Sequence, residues 1–195
     1  MVYAIPGGFS LPQLIRVIAW SRDGRLLAYS ANDAKTHSDI WILPLSGGVA
    51  FPFLRTEYDE AQPEFSPNGQ WIAYSSDESG RFEVYVRSFQ GGPSTGASTR
   101  ISIDGGSHPK WRPDGKELFF LAPDRKLMSA EIHLSPGMTP APPKPLFQTR
   151  ISMANFLAGY AVAQNGQRFL INAPTEEEER SPLTVISNWN PDIRR

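Results

Sequence analysis

Apolar residues along this chain come in short bursts of three, each placed just after an Asp-Gly or Asn-Gly dipeptide. Leu27-Ala28-Tyr29, Ile72-Ala73-Tyr74, Leu118-Phe119-Phe120 and Phe169-Leu170-Ile171 follow Asp23-Gly24, Asn68-Gly69, Asp114-Gly115 and Asn165-Gly166. A strand with one wet face alternates apolar and polar residues, so an unbroken run indicates burial on both faces. Four residues before each glycine stands a large apolar group: Trp20, Phe65, Trp111 or Val162. Asp-Gly and Asn-Gly accept positive φ and close hairpin turns, so each unit reads as two strands around a turn. A further strand signal follows each hairpin, at Asp39–Leu43, Glu83–Arg87, Lys126–Ala130 and Leu183–Ile186. Gly47-Gly48 and Gly91-Gly92 then lead to short strands near 50–54 and 99–102. In the third unit Ser135-Pro136-Gly137 and a proline-rich connection from Pro140 to Pro145 precede Leu146-Phe147.

The turn glycines at 24, 69, 115 and 166 are spaced by 45, 46 and 51 residues. That period matches a four-stranded propeller blade. The expected fold is therefore all-β, a β-propeller segment of about four antiparallel blades. Residues 1–18 would end a partial blade, with further blades over 19–54, 64–102, 110–147 and 160–189. Val2–Ile5 followed by Gly7-Gly8 matches Ile40–Leu43 followed by Gly47-Gly48, which starts the register inside a blade. An open arc leaves unpaired edges that pair with something or aggregate. The expectation is a piece of a larger propeller, or closure by association into a homodimer or higher oligomer.

Glycine and proline together make 34 of 195 residues, and the repeat's turns and connections account for them. With 19 basic and 20 acidic side chains, the net charge of −1 gives no electrostatic case for nucleic acid or an anionic membrane. No apolar run approaches the length of a bilayer-spanning helix, and the amino terminus lacks the pattern of a signal peptide. The absence of cysteine excludes disulfides, thiol catalysis and cysteine-ligated zinc.

Phe65-Ser66-Pro67-Asn68-Gly69 followed by Trp71-Ile72-Ala73-Tyr74-Ser75 resembles the TolB-like propeller repeat. Trp20-Ser21-Arg22-Asp23-Gly24 departs from that pattern at the proline, Trp111-Arg112-Pro113-Asp114-Gly115 at the serine, and Val162–Gly166 most of all. Such repeats occur in the Tol translocation protein, in propellers of prolyl-oligopeptidase-type peptidases, and in the carboxy-terminal segment of some bacterial sensor-type serine/threonine kinases. The tail Ser181–Trp189 is similar to the closing segment of the kinase group. The resemblance implies a binding or sensing module of a larger envelope protein, with an extracytoplasmic home for the complete protein.

Catalytic signatures do not follow. A related peptidase would need Gly-x-Ser-x-Gly, and neither that motif nor a kinase loop occurs. His37, His108 and His133 lack the local spacing of a zinc site, so no metal or cofactor is expected. They read as surface histidines, and Glu176–Glu179 as a solvated hairpin tip. The residues placed best for a ligand are Glu57, Asp59 and Glu60 ahead of the second unit, and Asp104 and His108 ahead of the third. Loops in those positions converge near a propeller's axis and present charge to a cation or a basic peptide. The leading expectation is a non-catalytic module that binds a protein or peptide partner. The alternative is a propeller associated with hydrolase activity, either gating a serine peptidase or acting through channel-face residues.

Overall fold

A computed structural model of the chain describes residues 16–133, 138–152 and 159–172. The expected strands at 2–5 and 183–186, the acidic run at 176–179 and the 181–189 tail lie outside the described residues. Every regular element among those described is a strand.

Strands β1 (Arg16–Trp20), β2 (Leu26–Asp33), β3 (His37–Pro44) and β4 (Phe51–Leu54) form a first antiparallel sheet in chain order. A second sheet repeats this with β5 (Glu60–Phe65), β6 (Trp71–Ser76), β7 (Glu83–Ser88) and β8 (Thr99–Arg100). The third holds β9 (Ser107–Trp111), β10 (Glu117–Leu121) and β11 (Lys126–His133). Its outer edge is divided: β12 (Thr139–Pro140) pairs with the end of β11, and β13 (Lys144–Gln148) pairs with its beginning. The proline-rich stretch, expected to be only a connection, is therefore partly strand. Proline is tolerated there because an edge strand can dispense with one row of N–H groups. A hairpin of β14 (Tyr160–Val162) and β15 (Phe169–Ile171) opens a fourth sheet.

The three-residue bursts divide their side chains between two interfaces. Ile72 and Tyr74 pack with Ala28, Ile40 and Ile42 of the preceding sheet. Ala73, between them, packs with Trp111, Leu118 and Phe120 of the following one. Phe119 likewise turns forward to Tyr160, Phe169 and Ile171, and its ring meets Phe169 edge-on at 5.0 Å. Each fully buried large apolar side chain contributes about 2 kcal/mol. Antiparallel sheets stacked face to face in chain order, the first two of them four-strand meanders, are blades of a β-propeller.

The turns explain the dipeptide at their centre. Asn68 Oδ1 accepts the Gln70 N–H at 3.1 Å and the Ser66 hydroxyl at 2.7 Å. Ser66 Oγ in turn accepts the Trp71 N–H at 3.0 Å. Gly69 follows at φ +70°, where a Cβ would be strained. Asp23 with Ser21 repeats the arrangement in the first blade.

The innermost strands carry a second repeated device. β5 is irregular between Ala61 and Glu64, and β9 between Ser107 and Lys110. Gln62 and His108 sit in these bulges at φ 57° and 56°. Each lies seven residues before its turn glycine and directly before a proline.

Candidate binding site

The bulges turn the side chains of Gln62 and His108 toward one another across the seam between the second and third blades. Gln62 Oε1 accepts the backbone N–H of His108 and the Ser75 hydroxyl, both at 2.8 Å. Those two donors fix the amide's orientation, so Gln62 Nε2 faces His108 Nε2 at 2.9 Å and donates to it. His108 Nδ1 stands 3.0 Å from Ser107 Oγ. From the fourth blade, Tyr160 Oη donates to the His108 carbonyl at 2.8 Å, and burial holds that phenol well above its ordinary pKa. Two residues along the same inner strands, Lys110 pairs with Glu64 at 2.6 Å. Burial raises the Glu64 carboxyl and Lys110 opposes the rise.

Above this network lies a cleft of about 300 Å³, with His108 and Leu121 in its floor and Phe82, Gly105 and Pro123 in its walls. Gly105 lies at φ +95°, and a Cβ there would fall 2.5 Å from Pro123 Cγ. At Gly106 a Cβ would fall 2.8 Å from Ser102 Cβ. The cleft's width therefore depends on both glycines. Arg81 stands at the rim, where Nε donates to buried Glu83 at 2.8 Å and Nη2 to the Ile103 carbonyl at 2.7 Å.

The expected site residues divide. His108 is not on the surface, as its position before Pro109 indicated, but buried in β9. Asp104 is 93% exposed and lies 3.6 Å from Arg81 at the edge of the cleft. Glu57 is exposed in the loop before β5. Asp59 is half-buried; its Oδ1 accepts the Ser38 N–H at 3.1 Å and its own N–H donates to Asp77 at 2.9 Å. Glu60 is not a loop charge: it opens β5 and is buried between the first two blades. There it accepts the Thr56 hydroxyl. Burial pushes its carboxyl up to about 7, and the charges of Asp39 and Glu78 add to the rise. Asp39 is also buried and raised by burial, held by Thr36 at 2.8 Å and Arg55 at 3.5 Å. His37 and His133 are exposed at strand ends. Sequence reasoning missed Gln62, Arg81 and Asp39. The shared offset of Gln62-Pro63 and His108-Pro109 from their turn glycines was the available signal.

Both His108 ring nitrogens are engaged by protein groups, so the imidazole serves as a rigid floor rather than a base aimed at a ligand. No group of three or more His, Cys, Asp or Glu among the described residues has the arrangement to hold a metal. The site can enclose an apolar side chain and bond to its flanking backbone through Ser107 and Arg81.

No protein-family model matches the chain. By structure it is similar to a TolB candidate from Agrobacterium tumefaciens, with a TM-score of 0.55, 22% identity, and 70% of this chain and 50% of that one covered. It is also similar to an auxiliary nutrient binding protein from Bacteroides thetaiotaomicron, with a TM-score of 0.51, 14% identity and coverage of 78% and 35%. The chain thus has a TolB-like β-propeller fold. By sequence it is 32% identical over 99 residues to Tricorn protease homolog 1 of Streptomyces coelicolor, covering 49% of this chain and 8% of that protein. It is 32% identical over 121 residues to Dipeptidyl-peptidase 5 of Porphyromonas gingivalis, covering 55% and 18%. The chain spans less than a fifth of either curated relative.

Proposed function

We propose that this chain is a non-catalytic binding module of a larger envelope or sensor protein, and that the cleft between its second and third blades receives an apolar side chain of a protein or peptide partner. The supporting observation is the His108 floor: a left-handed backbone at two consecutive bulges, locked by a buried amide–imidazole contact beneath an open cleft. Strained backbone that its surroundings over-determine is a feature of ligand clamps. An array of short peptides probed with the labelled protein tests the reading. The bound sequences should share one large apolar residue, and Phe82→Ala and Gly105→Ala should each weaken binding by roughly tenfold, about 1.4 kcal/mol. Glu57→Gln should leave it unchanged. Binding that ignores both cleft variants would overturn the reading.

The peptidases among the curated relatives favour a second reading, in which the chain is the propeller part of a peptidase. Peptide hydrolysis by the purified chain that one point mutation abolishes would replace the first reading with an enzymatic one.

Association of two copies belongs to the same proposal. Leu170 is 76% exposed, while Ala28, Ala73 and Phe119, at the same place in the three preceding blades, are buried against the next blade. A second copy seated on that face would cover it.

A further inference from the structure

Two of the hairpin turns carry Asn-Gly where the others carry Asp-Gly, at Asn68-Gly69 and Asn165-Gly166. Asparagine is a thermolabile residue, and a following glycine makes it most reactive, because no side chain shields the glycine nitrogen from the Asn Cγ. The two dipeptides share one backbone turn. Gly69 N donates to the Ser66 carbonyl at 2.9 Å, and Gly166 N to the Ala163 carbonyl at 2.8 Å. Asn68 and Asn165 are both exposed, and each Oδ1 accepts the N–H two residues on at 3.1 Å. Both bonds must give before the glycine nitrogen reaches Cγ, so the reaction runs through local opening of the turn.

The turns differ in how firmly they are held shut. In the second blade the buried Ser66 hydroxyl donates to Asn68 Oδ1 at 2.7 Å and accepts the Trp71 N–H at 3.0 Å. Asn68 Nδ2 adds a bond to Gln70 at 3.2 Å. Pro67, between Ser66 and Asn68, fixes φ inside the turn. The strands on either side, β5 and β6, are six residues each. In the fourth blade Ala163 stands in the place of Ser66 and Gln164 in the place of Pro67. That turn therefore has neither the hydroxyl clamp nor the fixed φ. Its strands, β14 and β15, are three residues each.

We infer that Asn165-Gly166 is a site of spontaneous covalent modification, deamidating through a cyclic imide in the folded protein, and that the turn at Asn68-Gly69 protects its asparagine from the same reaction. The Gly166 nitrogen bonds to Asn165 Cγ, and the bond from Cγ to the side-chain nitrogen breaks. That nitrogen leaves as ammonia with the proton that Gly166 gives up. Water then opens the ring at either carbonyl. Opening at Cγ leaves aspartate, the residue that Asp23 and Asp114 already place in this turn. Opening at the main-chain carbonyl leaves isoaspartate, which routes the backbone through Cβ and Cγ and lengthens the turn by one carbon. The inference does not depend on what the His108 cleft binds.

Peptide mapping by mass spectrometry tests it, on the chain held folded in mildly alkaline buffer and on the same chain held in urea. Fragment spectra place the amide-to-acid mass change on one residue, and enzymatic methylation counts the isoaspartate. In the folded chain Asn165 should convert roughly tenfold faster than Asn68, the combined scale of one hydrogen bond and one proline constraint. In urea the two rates should converge, because Gly-Gln follows both asparagines. Ser66→Ala should speed conversion of Asn68 severalfold. Ala163→Ser, at a half-buried position, should slow conversion of Asn165, which keeps the test open if Ser66→Ala disturbs its buried surroundings. Equal rates in the folded chain, a difference that persists in urea, or indifference of Asn165 to Ala163→Ser would overturn the inference.

Discussion

A left-handed backbone at Gln62 and His108 costs each residue about 1–2 kcal/mol, and the hydrogen bonds of the Gln62 amide offset it. Glu60, two residues earlier, is held at a cost that depends on pH. Its folded pKa, about 7, lies above its ordinary value of 4.5. Between those values the folded state holds a proton that the unfolded chain has lost, so this group's contribution to stability is greatest below about pH 4.5 and falls away as the pH climbs to 7. Asp39, also raised by burial, acts in the same direction. Melting temperature should therefore drop between pH 5 and pH 7.5, and Glu60→Gln should flatten the drop. At pH 7.5 that variant should melt about 5 °C above the parent, the shift expected for roughly 2 kcal/mol in a chain of this size. A Glu60→Gln profile parallel to the parent's would place the carboxylate's burial cost elsewhere.

At the scale of the element, the hairpin turn is where sequence and geometry agree most closely. Gly69 sits at φ +70°, while Gly92 lies outside the positive-φ region and has open space where a Cβ would stand. Gly69→Ala should cost about 1 kcal/mol in urea unfolding, and Gly92→Ala should be neutral or slightly stabilising. Equal effects would show that the turn tolerates a side chain the φ angle argues against. The same local chemistry made the strands legible: Asn68 and Asp23 bond to backbone only two residues away. The bulges were not legible, because Gln62-Pro63 and His108-Pro109 take their conformation from partners in the neighbouring blade. For the same reason Glu60 and His108 look like loop residues in the sequence and are buried strand residues in the fold.

For the whole molecule, the exposed face at Leu170 is the feature with a consequence in solution. If two copies cover it, light scattering on a size-exclusion column should give twice the chain mass, and Leu170→Arg should return the monomer. A parent that elutes as a well-behaved monomer would remove this part of the proposal. The sequence by itself determined the all-β class, the blade period and the turns, because each depends on residues within one hairpin: an Asp or Asn that bonds its own backbone, a glycine that accepts positive φ, and three apolar residues in a row. Tertiary structure alone decided which face of each burst meets which neighbour, that Gln62 and His108 meet, and that Glu60 is buried. The meeting of Gln62 with His108 and the Lys110–Glu64 pair each join residues 46 positions apart, and no local pattern carries the energy of a partner that distant in the chain.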